Sequence, residues 1–141
     1  MPLKLPVASV VALLGPAAVR AQVCAALDEG SARCAGGHGG LRVARIGVEP
    51  GDPLQDRLDV VRAAGQARIV LVERLTAGLG SADRRVVLSA LEDLAGAGAT
   101  VVVDDDDPVA VLAVADAALR VDATGQVELE ELPDLTALLA G

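Results

Sequence analysis

Three places in this chain hold residues of a type and spacing that could do chemistry. Glu73 and Arg74 follow directly on the apolar run Ile69 to Val72. Asp104 to Asp107 follow a second such run, Thr100 to Val103, and lead into Pro108. Gly15 and Pro16 break a third, Val7 to Leu14, and are followed by Arg20 and Gln22 in a stretch of helix-forming composition, Ala17 to Leu27. Carboxylates gathered at strand ends could hold a hard cation such as magnesium or calcium, which takes oxygen ligands. Glu73, Asp104 and Asp106 are the candidate metal ligands. A strand, a glycine-led turn and a helix form an arrangement whose backbone N–H groups and helix N-terminus cradle phosphates. Gly15, Arg20 and Gln22 are the candidate phosphate contacts.

Each group also has a simpler account. Adjacent carboxylates rarely converge on one ion without glycine turns to fold them inward, so the aspartates also fit a solvated acidic loop. Asp106 or Asp107 would then cap the helix behind Pro108. Arg20 also fits a solvated helix charge. Cys24, Cys34 and His38 offer three further ligand types around the small-residue stretch Gly30 to Gly40. They lack the CxxC or HxxxH spacing and the fourth ligand of a structural zinc site, and a surface loop is expected there. The two cysteines fit reduced thiols that act as small hydrophobes, or one disulfide.

The elements that must position these groups follow from the same pattern. Short branched apolar runs bounded by polar residues read as strands buried on both faces, and their carboxyl ends face the ligand crevice of an open α/β sheet. Val7 to Leu14, Ile69 to Val72, Thr100 to Val103 and Ala118 to Val121 are expected to lie parallel in one sheet, since helical stretches intervene. Leu41 to Val48 alternates and reads as a strand. Helices are expected over Leu54 to Ala64, Asp83 to Leu94, Val109 to Ala115 and Asp134 to Leu139. Thr124-Gly125 turns the chain into a last strand, Gln126 to Leu129. The fold class is α/β in one domain, residues 1–141, with helices on both faces of a mostly parallel sheet.

Composition narrows the function classes. The chain has 141 residues, 52% hydrophobic, and no Phe, Tyr or Trp. No aromatic ring is available to stack on an adenine, a base or a sugar. A net charge of −8 disfavours nucleic acid and anionic membrane surfaces. Lys4, the apolar stretch to Leu14 and Val19-Arg20-Ala21 imitate a cleaved secretory signal over residues 1–21, yet the same residues fit a strand–turn–helix unit. The uncharged run ends at Arg20 and holds Pro6 and Pro16, too short for a membrane span.

The wording of several segments resembles the ATPase subunits of ATP-binding cassette (ABC) transporters. IVLVERLTAGLGSAD, Ile69 to Asp83, resembles that family's Walker B strand and D-loop, written as a hydrophobic strand, Asp-Glu-Pro-Thr and Ala-Gly-Leu-Asp. VVALLGP resembles its P-loop strand, LRVARIGV the strand into its Q-loop, and RLDVVRAAG the helix after its signature motif. The aspartate run with Pro108 resembles its Thr-His-Asp-Pro switch, and the final hairpin its closing one. The likeness is strong from Arg57 to about Leu129, moderate from Val7 to Gly15 and weak between. It keeps the frame and loses the chemistry. Glu73 stands at the magnesium-organising aspartate, Arg74 at the catalytic glutamate, Gly80 at the D-loop aspartate and Asp106 at the switch histidine. Arg20, Ala21, Gln22 and Val23 hold the last four P-loop positions, with Ala21 at the lysine and Val23 at the terminal Ser/Thr. The signature Leu-Ser-Gly-Gly and most of the helical subdomain are absent from the sequence.

The resemblance therefore implies a degenerate, P-loop-NTPase-like protein without ATP hydrolysis. ATP with magnesium is expected to bind weakly, at millimolar concentration, if at all. The implied role is a cytoplasmic partner-binding or regulatory subunit, for which the resemblance also allows a peripheral place at the inner face of the cell membrane. It would contact a transporter membrane subunit or an intact ABC ATPase. Its surface is sought over Glu49 to Arg57 and Thr76 to Ala82, with Leu75 and Leu79 either outward or in the core. Two other readings stay open: a small regulatory protein binding nucleotide or metal through Arg20 and Asp104 to Asp107, and an exported protein with a Cys24–Cys34 bridge.

Overall fold

The structure, a computed structural model, describes residues 3–26, 32–34, 43–105, 107–124 and 126–131. In chain order the elements are β1 (Leu3–Leu5), β2 (Val10–Leu14), α1 (Ala17–Ala26), β3 (Ala32–Cys34), β4 (Val43–Gly47), α2 (Leu54–Ala63), β5 (Ile69–Glu73), α3 (Ser81–Gly96), β6 (Thr100–Asp104), α4 (Pro108–Leu112), β7 (Ala117–Val121) and β8 (Val127–Glu131). Six strands make one sheet in the order β4-β5-β6-β2-β7-β8. The pairs β4–β5, β5–β6, β6–β2 and β2–β7 are parallel, and only the closing hairpin β7–β8 is antiparallel. The expected parallel sheet of the four apolar runs is what forms.

The branched runs form the middle strands because both of their faces are covered. Val10, Ala12, Val70, Val72, Val101 and Val103 pack on one face against Val61 of α2, Val87 and Leu91 of α3 and Val111 of α4. Val11, Leu13, Ile69, Leu71 and Val102 pack on the other with Cys24, Val19 and Val23 of α1. Successive residues of a strand alternate between faces, so a run with no polar residue supplies two cores at once. α3 has the strongest helical pattern, and Val87, Leu88, Leu91 and Leu94 form its buried stripe.

Three expectations need correction. Ala32–Cys34, inside the stretch read as a loop, is a strand that pairs parallel with β1 in a separate two-stranded sheet. The first apolar run enters the sheet only at Val10, because the chain turns before it, with Ala8 at φ 56° and the Ser9 hydroxyl donating to the Val7 carbonyl at 3.1 Å. Cys24 is a buried free thiol, so the disulfide reading fails at that residue. The side chain of Cys34 and the stretch Asp134 to Leu139 lie outside the described residues. So does His38. β2 is flanked on both sides by β6 and β7. Cleavage behind Ala21 would remove this central strand. Among the described residues no helix is long and apolar enough to cross a membrane.

A buried cation locks the loops beyond β4 and β5. Arg57, on α2, is fully buried. It donates to the carbonyls of Asp52 at 3.1 Å, Leu75 at 3.0 Å, Ala77 at 2.8 Å, Pro50 at 2.9 Å and Glu49 at 3.4 Å. The guanidinium fork thus has all its donors placed on backbone acceptors. Leu75 is in the core as well, and Leu79 is half-buried against it. The surface sought over Glu49 to Arg57 and around Leu75 is therefore partly interior.

Candidate functional site

The strand order turns back on itself at β2. From β2 the chain runs out to β4, returns through β5 and β6 to β2's flank, and then crosses to β7. The crevice outside the carboxyl ends of the strands at such a switch point is where open α/β sheets bind ligands. Gly15, Glu73 and Asp104 all lie at that end, and Glu73 and Asp104 are direct register partners on β5 and β6.

Gly15 adopts φ +138°, and a Cβ there would lie 2.2 Å from the Val121 carbonyl oxygen. Its glycine is required by the close approach of β7, a packing reason that stands without any phosphate. α1 starts directly behind it, with the Pro16 carbonyl accepting from Val19 N at 3.0 Å and Arg20 N at 2.9 Å. Arg20 then folds back over the turn. Its Nε donates to the Gly15 carbonyl at 3.0 Å, and its Nη1 to the Asp105 carbonyl at 3.2 Å and to the Asp104 carboxylate. Both side chains are largely shielded, 13% and 16% exposed. A phosphate arriving at this turn would have to compete with a carboxylate for the guanidinium. Gln22 is on an exposed position of α1 and is not drawn into this cluster.

Of the candidate metal ligands, Asp104 pairs with Arg20, while Glu73 lies 3.8 Å from Arg45, both about half exposed. Asp106 lies outside the described residues. Among the described residues no group of three or more His, Cys, Asp or Glu side chains is placed to hold a metal ion. Arg74 adopts φ 55°, and its N–H donates to the Asp104 carbonyl at 2.8 Å. An arginine cannot serve as the base that activates water.

The other aspartates of the run have structural partners. Asp105 is buried, accepting from the Thr76 hydroxyl at 2.6 Å and from Asp107 N at 2.9 Å, so it ties the loop behind β5 to the loop behind β6. Asp107 caps α4, its Oδ1 accepting from Ala110 N at 3.2 Å ahead of Pro108, as one of the two expected caps. Asp105 was not singled out from the sequence, because four identical neighbours carry no mark of which one turns inward. Thr76, a hydroxyl just past a buried strand, was the one available signal.

Beside the Arg20–Asp104 pair lies a cavity of about 600 Å³, bordered by Ala17 and Ala21 of α1 and by Cys24, Arg45, Glu73 and Arg74. Burial first, then the carboxylates of Asp104 and Glu73, push the Cys24 thiol up to about 11, with Arg45 and Arg20 offsetting part of the rise. At neutral pH it is a protonated thiol and a poor nucleophile.

No family model matches the chain, and no curated protein matches it. Solved structures do. A nucleotide-free ATP-binding cassette from an ABC transporter superposes with TM-score 0.62 at 10% identity, over 97% of this chain and 86% of that one. The cbiO1 protein from Clostridium perfringens, part of the ABC transporter complex cbiONQ, gives 0.61 at 12% identity, over 93% of this chain and 80% of that one. Archaeal ribosome recycling factor aABCE1, solved with the ribosomal stalk protein aP1, gives 0.55 at 13%, over 94% of this chain but only 37% of that one. Identities this low establish architecture and nothing finer. The chain has the α/β fold of ABC ATPase subunits.

Proposed function

We propose that this chain is a non-hydrolysing ABC-ATPase-like protein that acts by binding a protein partner, of the kind found in transporter complexes. The observation that carries the reading is Arg20, which spans the turn behind β2 from the Gly15 carbonyl to the Asp104 carboxylate. In-line attack on a γ-phosphate needs phosphate clamps, a metal and a positioned water. Here Arg20 at the turn is paired with a carboxylate, and by the family resemblance Ala21 and Val23 stand at the lysine and the metal-binding hydroxyl and Arg74 at the base. A fold kept without that chemistry is best accounted for by contact.

The test pairs calorimetric titration of ATP with magnesium against phosphate release by the purified chain. Millimolar binding or none, and no turnover above background, is expected. Micromolar ATP affinity would favour a ligand-binding regulator instead. Magnesium-dependent turnover abolished by Arg20→Ala would overturn the reading.

A further inference from the structure

Among the described residues β8 pairs with β7 alone, and all five of its residues are exposed. At the opposite edge of the sheet, three of the five residues of β4 are half-buried. The hairpin register fixes what β8 presents. Asp122 N donates to the Gln126 carbonyl at 3.0 Å, so these two residues form a hydrogen-bonded pair across the hairpin. Antiparallel ladders alternate, which makes Arg120–Glu128 and Ala118–Glu130 hydrogen-bonded pairs as well. The backbone N–H and C=O groups of Val127, Leu129 and Glu131 therefore point outward, away from β7.

The two faces of β8 differ. Val127 and Leu129 are opposite Val121 and Leu119 in register, so they continue the face that those residues bury with Val19 and Val23 of α1. They remain 39% and 37% exposed, an apolar edge without a neighbour. The other face has Glu128 and Glu130. Within the hairpin strands three glutamates are set against one cation, Arg120, whose Nε donates to Glu130 at 2.6 Å. A second copy paired antiparallel about Leu129 would put Glu128 directly across from Glu130, and like charges in that place destabilise a ladder. The glutamates thus guard the edge against its own kind and favour a cationic strand.

We propose that the free edge of β8 takes, as a further strand of the sheet, an extended segment of a protein partner in which apolar residues alternate with lysine or arginine. Its backbone meets the outward groups of Val127, Leu129 and Glu131. Its apolar side chains carry the α1 face of the sheet on beyond Val127 and Leu129, and its cations meet Glu128 and Glu130. This rests on the reading that the chain acts by partner contact, and it names where and with what chemistry. In strand addition the main-chain bonds give affinity, and the alternating side chains give specificity.

The probe is a short, blocked, fluorescein-labelled peptide that alternates valine with lysine, titrated into the full chain by fluorescence anisotropy. A second peptide has glutamate for lysine. Two more have backbone N-methyl groups, one on the valines and the other on the lysines. Saturable binding of the first peptide is expected, weakened about 5-fold or more by Glu128→Gln with Glu130→Gln, the scale of two exposed ion pairs. One methylation pattern should abolish binding and the other spare it, because only alternate N–H groups of an added strand face its neighbour. Both substituted positions are exposed, and an unchanged thermal midpoint would show that the variant folds. The methylated peptides test the edge on the unaltered chain in any case. No saturable binding, equal affinity for the lysine and glutamate peptides, or methylated peptides that both bind like the parent overturns the proposal. Leu129→Pro removes an outward N–H and no bond to β7, which an edge strand tolerates. A dimer in sedimentation that Leu129→Pro abolishes gives the edge to a second copy and overturns the proposal also. Isolation of the full chain from its native cell separates this from the reading beneath it. A complex that survives Leu129→Pro keeps the partner and discards the edge, whereas the lack of any complex discards the partner too.

Discussion

Arg57 and Arg20 are both drawn inward from helices, and their surroundings differ in kind. Arg57 has only backbone carbonyls around its guanidinium and no measurable exposure. Its charge is spread over five dipoles, and it fastens the exits of β4 and β5 to α2. Arg20 is at the lip of a cavity, partly reached by water, and its main partner is a carboxylate from the end of β6. The first arginine is scaffold. The second is at the strand-end crevice, the place where open α/β sheets in general bind ligands. Burial depth and partner type, more than residue type, separate the two roles.

The comparison breaks first at Arg57. Arg57→Met should cost about 3–5 kcal/mol, because it leaves a set of buried carbonyls without donors. In a chain of this size that lowers the thermal midpoint by roughly 10 °C, measurable by calorimetry. Arg20→Met should cost less, about 1–2 kcal/mol, since water can reach Asp104 once the guanidinium is gone. Denaturant unfolding of Arg20→Met, Asp104→Asn and the double variant should show positive coupling, with the double closer to wild type than the sum of the singles. If Arg20→Met proves as damaging as Arg57→Met, both arginines are scaffold and the contrast fails.

The smallest effect sharpens the comparison through Cys24. Its folded value of about 11 lies above the ordinary 9.0, chiefly because burial disfavours the thiolate. The raised value favours folding below pH 9 and loses that contribution as pH rises from 9 toward 11. The loss has a slope of at most about 1.4 kcal/mol per pH unit. The wild type should therefore lose stability relative to Cys24→Ala across that window. Arg20→Met should move the thiol further up, since Arg20 lowers it, while Arg57→Met should not. A thiol that titrates near 9 in the folded chain, read by thiolate absorbance, would contradict this.

The sheet was readable because its signal is local. Ile69 to Val72 and Thr100 to Val103 are strands for a reason present in each run: no polar side chain interrupts either face. α3 and the hairpin β7–β8 were readable for the same reason, through helix period and a turn at Thr124. The candidate site was readable only as positions. Sequence order placed Gly15, Glu73 and Asp104 at strand ends, but Arg20 is 84 residues from Asp104, and their pairing follows from β2 lying beside β6.

Composition and spacing alone determined an aromatic-free α/β chain with apolar parallel strands, and the order of its residues carried the resemblance in which Ala21 and Arg74 stand where ABC ATPases have a lysine and a glutamate. Those are properties of residue type and order, which folding cannot change. Only the tertiary structure decided which charges meet: that Arg57 is buried on carbonyls, that Asp105 turns in to Thr76, that Leu75 is core, and that Arg20 is held by Asp104. Desolvation and hydrogen bonding act between groups far apart in the chain, so their outcome depends on which strands become neighbours.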